Sequence, residues 1–342
     1  MLVNQRLSMN LRLALSCLFL GVLTAFMVWS IQWVLESRKE VTFDMPGDVT
    51  VLNLGGGPQI VPVADAASAQ EELKAYLRDR SLALVVSSNG EGRPEVLVYD
   101  PQGLLSWFPR ASREDMSTTM SGAYLFKGTY SERRWSESTA TPFLPKGVAV
   151  EGVIDVPSRA GILGTLQYAR VIGQDPLPPA SYTINTIDPD QVRHVLDLLH
   201  RIGLAAQGAK RIPLLGSLIL NPLFIVTGLF LVLGHVCAVL YWALYLHGRA
   251  YEFGVRSRHG ARPMGLVREN LAGGLPGLVA GSVVGVILSG VLVAAIGHAP
   301  LASGNFQTLA VGALVAVAVA TVTWSTTLYA VIRLRYEANL VA

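Results

Sequence analysis

Apolar residues in this chain gather into four runs, Leu13 to Leu35, Leu218 to Leu246, Leu275 to Ile296 and Thr308 to Ile332. A bilayer core about 30 Å thick is crossed by roughly 20 residues of helix, and each run reaches that length. The pattern between the first and second runs is different. There, short alternating and periodic segments with ordinary charge predict a folded, water-exposed domain. The first run follows Arg6 and Arg12 and has Trp29 and Trp33 near its far end, as an interfacial anchor does. A cleaved signal peptide would have an apolar core of about 7–15 residues and a small-residue cleavage site. This run is longer and no A-x-A closes it, so it reads as a retained helix. The prediction is a multi-pass α-helical membrane protein with four spans in a one-plus-three arrangement, and a mixed α+β extracytoplasmic domain inserted between the first two.

Segment by segment, residues 1–12 are a cytoplasmic N-terminus, 13–35 the first span and 36–216 the extracytoplasmic domain. The second span is 218–246, a cytoplasmic loop covers 247–272, and the third span is 273–297. A short external loop, 298–307, leads to the fourth span at 308–332 and a cytoplasmic C-terminus at 333–342. Orientation follows from arginine placement in the short segments. Arg249, Arg256, Arg258, Arg262 and Arg268 lie between the second and third runs, while 298–307 holds no Lys or Arg. Arg6 and Arg12 precede the first run, and Arg333 and Arg335 follow the last. Only four spans place all three basic segments on one side.

Composition sharpens this reading. Charged residues make up 15% of the chain against about 25% in a soluble globular protein. The net charge of +3 is small and its arginines flank the apolar runs, which excludes a nucleic-acid surface. The last three runs contain no Asp, Glu, Lys or Arg, and this argues against a proton- or sodium-coupled carrier. His235 is the titratable exception, read as a neutral, hydrogen-bonded side chain. Cys17 and Cys237 both fall in apolar runs, where cysteine serves as a small packing residue. In the third run Gly273, Gly277, Gly281 and Gly285 recur every fourth residue and Ser289 continues the register. Such a stripe admits a close neighbouring backbone, either in an oligomer or within the chain, with the Ala-rich fourth run around Gly312 a natural partner.

Within the domain, Ser68 and Glu71 form a capping box ahead of a helix over Gln70 to Asp79. Leu82 to Ser87 and Glu95 to Tyr99 predict a hairpin around the turn Asn89-Gly90-Glu91-Gly92, followed by a turn at Asp100-Pro101-Gln102-Gly103. Further strands are expected at Ala123 to Thr129, Val148 to Val156 and Tyr182 to Ile187. A second helix opens at Asp188-Pro189, with Val192, Val195, Leu196, Leu199 and Ile202 on its apolar face. No H-E-x-x-H, G-x-S-x-G or Walker-type loop occurs anywhere in the chain. Gly55-Gly56-Gly57 reads as a turn. His194 and His200 sit six apart on one helix and cannot share a metal. Arg133-Arg134-Trp135 and Trp107-Phe108 read as solvated arginines and core or rim aromatics rather than ligand anchors. The chain offers no catalytic site and no cofactor site.

The loop between the second and third runs is the informative segment. The second helix is expected to continue past Tyr251 and Val255 and to stop at Gly260. Pro263 then suits the first turn of a new short helix along the membrane, with Met264, Val267 and Leu271 on its apolar edge. Without further information this is an amphipathic surface loop on anionic lipid.

The residues Arg249, Glu252-Phe253-Gly254 and Gly260-Ala261, with a Gly-rich third span after them, resemble the signature of FtsX/MacB-type permeases of ABC transporters. The one-plus-three arrangement around a large external domain also matches. The family's later Glu lies about one helical turn further on than Glu269, so Glu269 is left unmatched. The resemblance implies a non-catalytic permease subunit of the bacterial cytoplasmic (inner) membrane with both termini inside. Its coupling loop would comprise Arg249, Glu252, Gly254, Gly260, Ala261, Arg262, Pro263, Val267 and Arg268, docking a separate ABC ATP-binding subunit that holds ATP and Mg. A second permease copy or a paralogue, membrane lipid, and an extracytoplasmic protein or peptide complete the implied partners. Export or extraction of a peptide, lipid or lipoprotein, or control of a cell-wall enzyme, are the tasks it implies. A stand-alone membrane receptor or scaffold with a ligand-binding external domain is the alternative.

Overall fold

The computed structural model describes residues 2–57, 63–87, 94–109, 122–138, 143–157, 165–297 and 303–341. Two compact units emerge, one formed by Val34–Ile219 and the other by Met1–Trp33 together with Leu220–Ala342. Helix α1, Leu2–Thr42, contributes to both.

The first unit is built on one mixed sheet of eight strands. These are β1 (Val49–Gly56), β2 (Leu84–Ser87), β3 (Glu95–Tyr99), β4 (Ala123–Phe126), β5 (Val150–Ile154), β6 (Tyr168–Val171), β7 (Ser181–Ile184) and β8 (Leu204–Ile212). Their order across the sheet is β5-β4-β6-β3-β2-β7-β1-β8. β2 and β3 form the expected antiparallel hairpin, with Leu84 opposite Tyr99 and Ser87 opposite Val96. The turn expected at 89–92 lies outside the described residues. Asp100 fixes the next turn, its carboxylate accepting from the backbone of Leu104 at 3.0 Å and Leu105 at 2.8 Å.

The central strands are continuous apolar runs because both faces are covered. Alternation sends Leu84, Val86, Leu97 and Tyr99 to one core and Val85, Val96 and Val98 to the other. The first core is closed by α2 (Val63–Asp79) through Leu73 and Leu77, and by α4 (Pro189–Arg201) through Val192, Val195, Leu198 and Leu199. The second takes Phe43, Met45, Trp107 and Phe108, and the Trp107 indole donates to the Phe43 carbonyl at 2.8 Å. Trp107 and Phe108 are therefore core aromatics. α3 (Tyr130–Ser138) exposes Arg133 and Arg134, while Trp135 packs partly against Leu125 and Tyr168. α4 begins as the sequence predicts: Asp188 caps it by accepting from Asp190 at 3.0 Å, and Pro189 opens the first turn. His194 stacks on Tyr76 at 4.2 Å, and both His194 and His200 are exposed.

Two local readings are corrected. α2 begins at Val63, so Ser68 and Glu71 lie inside it; Ala66 and Ala67 favour helix and Asp65 supplies the first-turn carboxylate. Gly55 and Gly56 are strand residues opposite Ala205 and Leu204, and the Gly57 amide bonds the Gly203 carbonyl at 2.8 Å. They form a strand end because β8 pairs with β1 along its whole length. Each edge strand carries a register irregularity, which blunts a free edge against further strand addition.

In the other unit, four helical segments are long and apolar enough to cross a bilayer: Ser8–Thr42, Pro222–Gly248, Pro263–Ala295 and Leu309–Leu334. Each belongs to a longer or equal helix: α1, α6 (Pro222–Gly248), α8 (Pro263–Gly297) and α9 (Ser303–Val341). A six-residue helix, α5 (Leu214–Ile219), precedes α6 in the chain. The glycine stripe on α8 is filled by α1. A Cβ at Gly277 would lie 2.5 Å from the Asn10 carbonyl oxygen, while one at Gly281 would strike the Ala14 backbone and one at Gly285 the Leu18 backbone. The residue numbers rise together, so the helices run parallel. α9 packs elsewhere on α8, through Leu309 on Gly290 and Gly312 on Val286, and is not the partner of the stripe. Trp242 and Trp324 meet edge-on at 5.5 Å, and the Trp242 indole donates to Ser16 at 2.8 Å. His235 is half-buried, its Nδ1 2.8 Å from the Leu231 carbonyl of its own helix. Cys17 is buried in the bundle and Cys237 is exposed.

Candidate functional site

The segment from Arg249 to Glu269 forms a helical hairpin. α6 ends at Gly248, and Arg249 sits at a break (φ −97°, ψ 4°) before α7, Ala250–Arg258. The continuous helix expected through Tyr251 and Val255 is thus two helices, because Gly248 and Arg249 interrupt the ladder. α7 stops as expected at Gly260. His259 is the last half-helical residue and Gly260 has a φ of +87°, a conformation open to glycine and strained for other residues. The Gly260 amide bonds Ser257 O at 3.0 Å and the Ala261 amide bonds Arg256 O at 3.1 Å, the paired closure of a Schellman turn. Arg262 then leads into Pro263, the first residue of α8, and its carbonyl accepts from Gly265 and Leu266. No separate short helix follows. α8 runs without a break from Pro263 to Gly297, carrying Pro276 inside it, since a helix in lipid retains its hydrogen bonds wherever it can.

Charged and polar groups fasten this hairpin. The Arg249 guanidinium grips Glu252 two-handed, Nε to Oε2 at 2.9 Å and Nη2 to Oε1 at 3.0 Å. Its Nη1 donates to Asn270 Oδ1 at 3.0 Å, and its Cζ stands 5.4 Å from the Phe253 ring centre. Asn270 is buried and returns a hydrogen bond to the Leu266 carbonyl at 2.8 Å. Arg256 bridges Glu252 at 3.8 Å and Glu269 at 2.8 Å, tying α7 to α8. Phe253, Leu266 and Val267 are buried in the bundle core, with Ala261 and Leu271 packed against it. Gly254 is half-buried on α7.

The two carboxylates, Glu252 and Glu269, are both held by arginine. Arg258, Arg262 and Arg268 are exposed and make no ion pair among the described residues. Tyr251, at 86% exposure, and Met264, at 55%, are exposed on the same hairpin. The outer face of the hairpin thus combines exposed arginines with exposed apolar side chains. No group of three or more His, Cys, Asp or Glu side chains able to hold a metal occurs among the described residues.

No family model matches the chain, and no curated protein matches it.

Of the residues singled out from the sequence, Arg249, Glu252, Gly260, Ala261, Pro263 and Val267 take part in the fastening or turning of the hairpin. Gly254 lies on α7 between them, and Arg262 and Arg268 face outward. Sequence reasoning missed Asn270 and left Glu269 unassigned. The available signal was a lone amide in the first polar turns of an otherwise apolar helix. Gly260→Ala should cost about 1 kcal/mol by forcing a side chain into the left-handed region. Amide exchange across Ala250–Arg258 should quicken several-fold, while bundle melting stays unchanged. In the sheet unit, a cleft of about 570 Å³ is lined by Ser106, Trp107, Phe108, Lys127, Glu132 and Asp155, the feature on which a receptor reading would rest.

Proposed function

We propose that this chain is the membrane subunit of an ABC complex, coupling ATP hydrolysis in a separate subunit to movement of the sheet unit between its first and second spans. The observation that carries the reading is the hairpin. The residues that resemble the permease signature are built into one fastened turn that shows the outside three uncompensated arginines and two apolar side chains. A charged surface of this kind selects and steers an acidic protein partner. ATP and Mg belong to that partner, a second copy or a paralogue of the chain completes the pair, and the complex sits in the bacterial cytoplasmic membrane with the hairpin inside.

The motion passes through α8 rather than α6. α6 is interrupted at both ends, by Asn221-Pro222 and by Gly248-Arg249, and so makes a poor rod. α8 begins inside the hairpin and continues into its span, and its glycines hold α1, the helix common to both units. A push on the hairpin travels through α8 and α1.

Purification of the intact chain from detergent-solubilised native membranes, beside an Arg262→Glu, Arg268→Glu variant, tests the reading. An ATP-binding subunit should accompany the wild type. The variant should retain about a tenth or less of it, the effect of roughly 1.4 kcal/mol, while its insertion and melting are unaltered. Recovery of the intact chain without any ATPase would move the function to the sheet unit and its cleft as a receptor.

A further inference from the structure

The chain enters and leaves the sheet unit at one corner. β1 opens at Val49 and β8 closes at Ile212, and these two residues face each other in the ladder. α1 reaches Val49 through residues 43–48, and Pro213 carries the chain from Ile212 into α5. Beyond Val49 and Ile212 the ladder no longer joins the two passages, and two charged side chains take over. Asp48 accepts from the amide of Leu214, the first residue of α5, at 2.7 Å. Arg38, one turn from the end of α1, donates through Nη1 to the Met45 carbonyl at 3.4 Å. Its Nη2 donates to the carbonyl of Gly47, the neighbour of Asp48. The carboxylate whose charge acts on Arg38 is that of Asp48.

The turn held in this way is one the chain would not adopt unaided. Phe43 and Asp44 both lie in the left-handed region, at φ of 55° and 58°, and Gly47 follows at 69°. For a bulky side chain this conformation is an outlier, and it persists only where the surroundings dictate it. Phe43 and Met45 are buried, and the Trp107 indole also holds the Phe43 carbonyl. Arg38 itself is only 8% exposed, and its Nε has no hydrogen-bond partner among the described residues. Replacing a buried ion with an apolar side chain of similar volume is often neutral or stabilising. Stability is therefore a poor reason for a buried guanidinium with one donor idle. The position that it imposes on the turn is a better one.

We infer that Arg38 is a positioning residue that acts through Asp48 to lock the entry and exit of the sheet unit into one joint, so that the end of α1 and the start of α5 move together. The joint is a property of Val34–Ile219 alone and stands whether or not an ATP-binding partner exists. Where the proposed coupling holds, displacement arriving along α1 is shared with α5 at this joint instead of being absorbed by the strained turn.

Hydrogen exchange of the full chain in detergent, resolved into short peptides by mass spectrometry, tests the joint. Arg38→Met keeps the aliphatic bulk and removes the charge. Exchange across Leu214–Ile219 should quicken about tenfold, as when a hydrogen bond to a charged group loosens. It should do so although the hydrogen bonds of the Arg38 guanidinium go to Met45 and Gly47 and not to that segment. Exchange in β3, at the centre of the sheet, should stay at the wild-type rate. Asp48→Ala should quicken Leu214–Ile219 to the same degree, and adding Arg38→Met to it should change nothing more, since both act through one contact. Coupling is reciprocal, so Asp48→Asn, which keeps an acceptor for Leu214 and removes only the charge, should quicken exchange across residues 43–47. That variant carries the test if Arg38→Met fails to fold, and an unchanged rate at 43–47 then overturns the joint. Unchanged exchange across Leu214–Ile219 in Arg38→Met overturns it too, as does equal acceleration in β3, which would make Arg38 a general stabiliser. Additive effects of Arg38→Met and Asp48→Ala overturn the route through Asp48. Recovery of the chain without an ATPase, with this exchange pattern intact, would instead overturn only the proposed function.

Discussion

Gly281→Ala is expected to lower the melting temperature of the bundle by several degrees, whereas Gly228→Ala leaves it unchanged or raises it. The two changes add the same methyl group to a membrane helix. At Gly281 that methyl would occupy the space of the Ala14 carbonyl group and Cα, and backbone cannot step aside as a side-chain end can. The helices would have to part along a seam that also includes Gly277 and Gly285. Overpacking of this kind costs about 1–3 kcal/mol, occasionally more, and the better helix propensity of alanine returns up to about 1 kcal/mol. A net loss of about 1–2 kcal/mol follows. At Gly228 the nearest atom is the Met27 terminal methyl at 3.9 Å, an ordinary contact, so the propensity term acts nearly alone. Thermal unfolding of the full chain in one detergent, followed by tryptophan fluorescence, separates the two. Equal shifts at both positions would mean that the stripe does not hold α1.

The second large effect is in the sheet unit. Arg170 and Glu95 pair at 3.0 Å with side chains only 13% and 15% exposed, and Arg170 also reaches Asp175 at 2.8 Å. The pair links parallel neighbours β3 and β6. Tyr168 closes the cluster, its hydroxyl 3.4 Å from Glu95 and 3.2 Å from the Phe143 carbonyl, and burial pushes its phenol well above the usual tyrosine range, keeping the proton on. Arg170→Met keeps the aliphatic bulk but strands the Glu95 carboxylate, a change that costs about 3–5 kcal/mol in a fully buried pair and about 3 here, given the residual exposure. Adding Glu95→Gln should return most of that loss, because the uncompensated charge and not the missing packing is its origin. Urea unfolding of the three variants decides it. A double variant as unstable as Arg170→Met alone would place the loss in packing.

The sequence announces features whose cause is local and hides those whose cause is a distant partner. The four long apolar helices were legible because length and apolarity are written into each one separately. The hairpin of β2 and β3 and the start of α4 at Asp188-Pro189 were legible for the same reason. β8, with its alanines, Gln207 and Gly208 ahead of Lys210 and Arg211, has little strand propensity of its own and exists because β1 pairs with it. Gly55 and Gly56 read as a turn until that partner is known. At the hairpin, Gly260 carried its own signal, a glycine ahead of a proline. The roles of Asn270 and Glu269 depend on where α7 folds back, and Arg249 and Arg256 find them across a turn that single-residue patterns do not measure. Which helix fills the glycine stripe was undetermined for the same reason.

That non-locality has a consequence for synthesis. Asn10 and Gly277 are separated by 267 positions (277 − 10), and Ser16 must await Trp242. At roughly 5–20 residues per second, about 13–53 s pass between emergence of the first helix and arrival of the glycines that receive it. Throughout that interval α1 waits without its seam while the ribosome delivers the intervening sheet. Assembly of the bundle is therefore a late event, and a nascent chain stalled before residue 277 should present α1 to lipid or to an insertion chaperone.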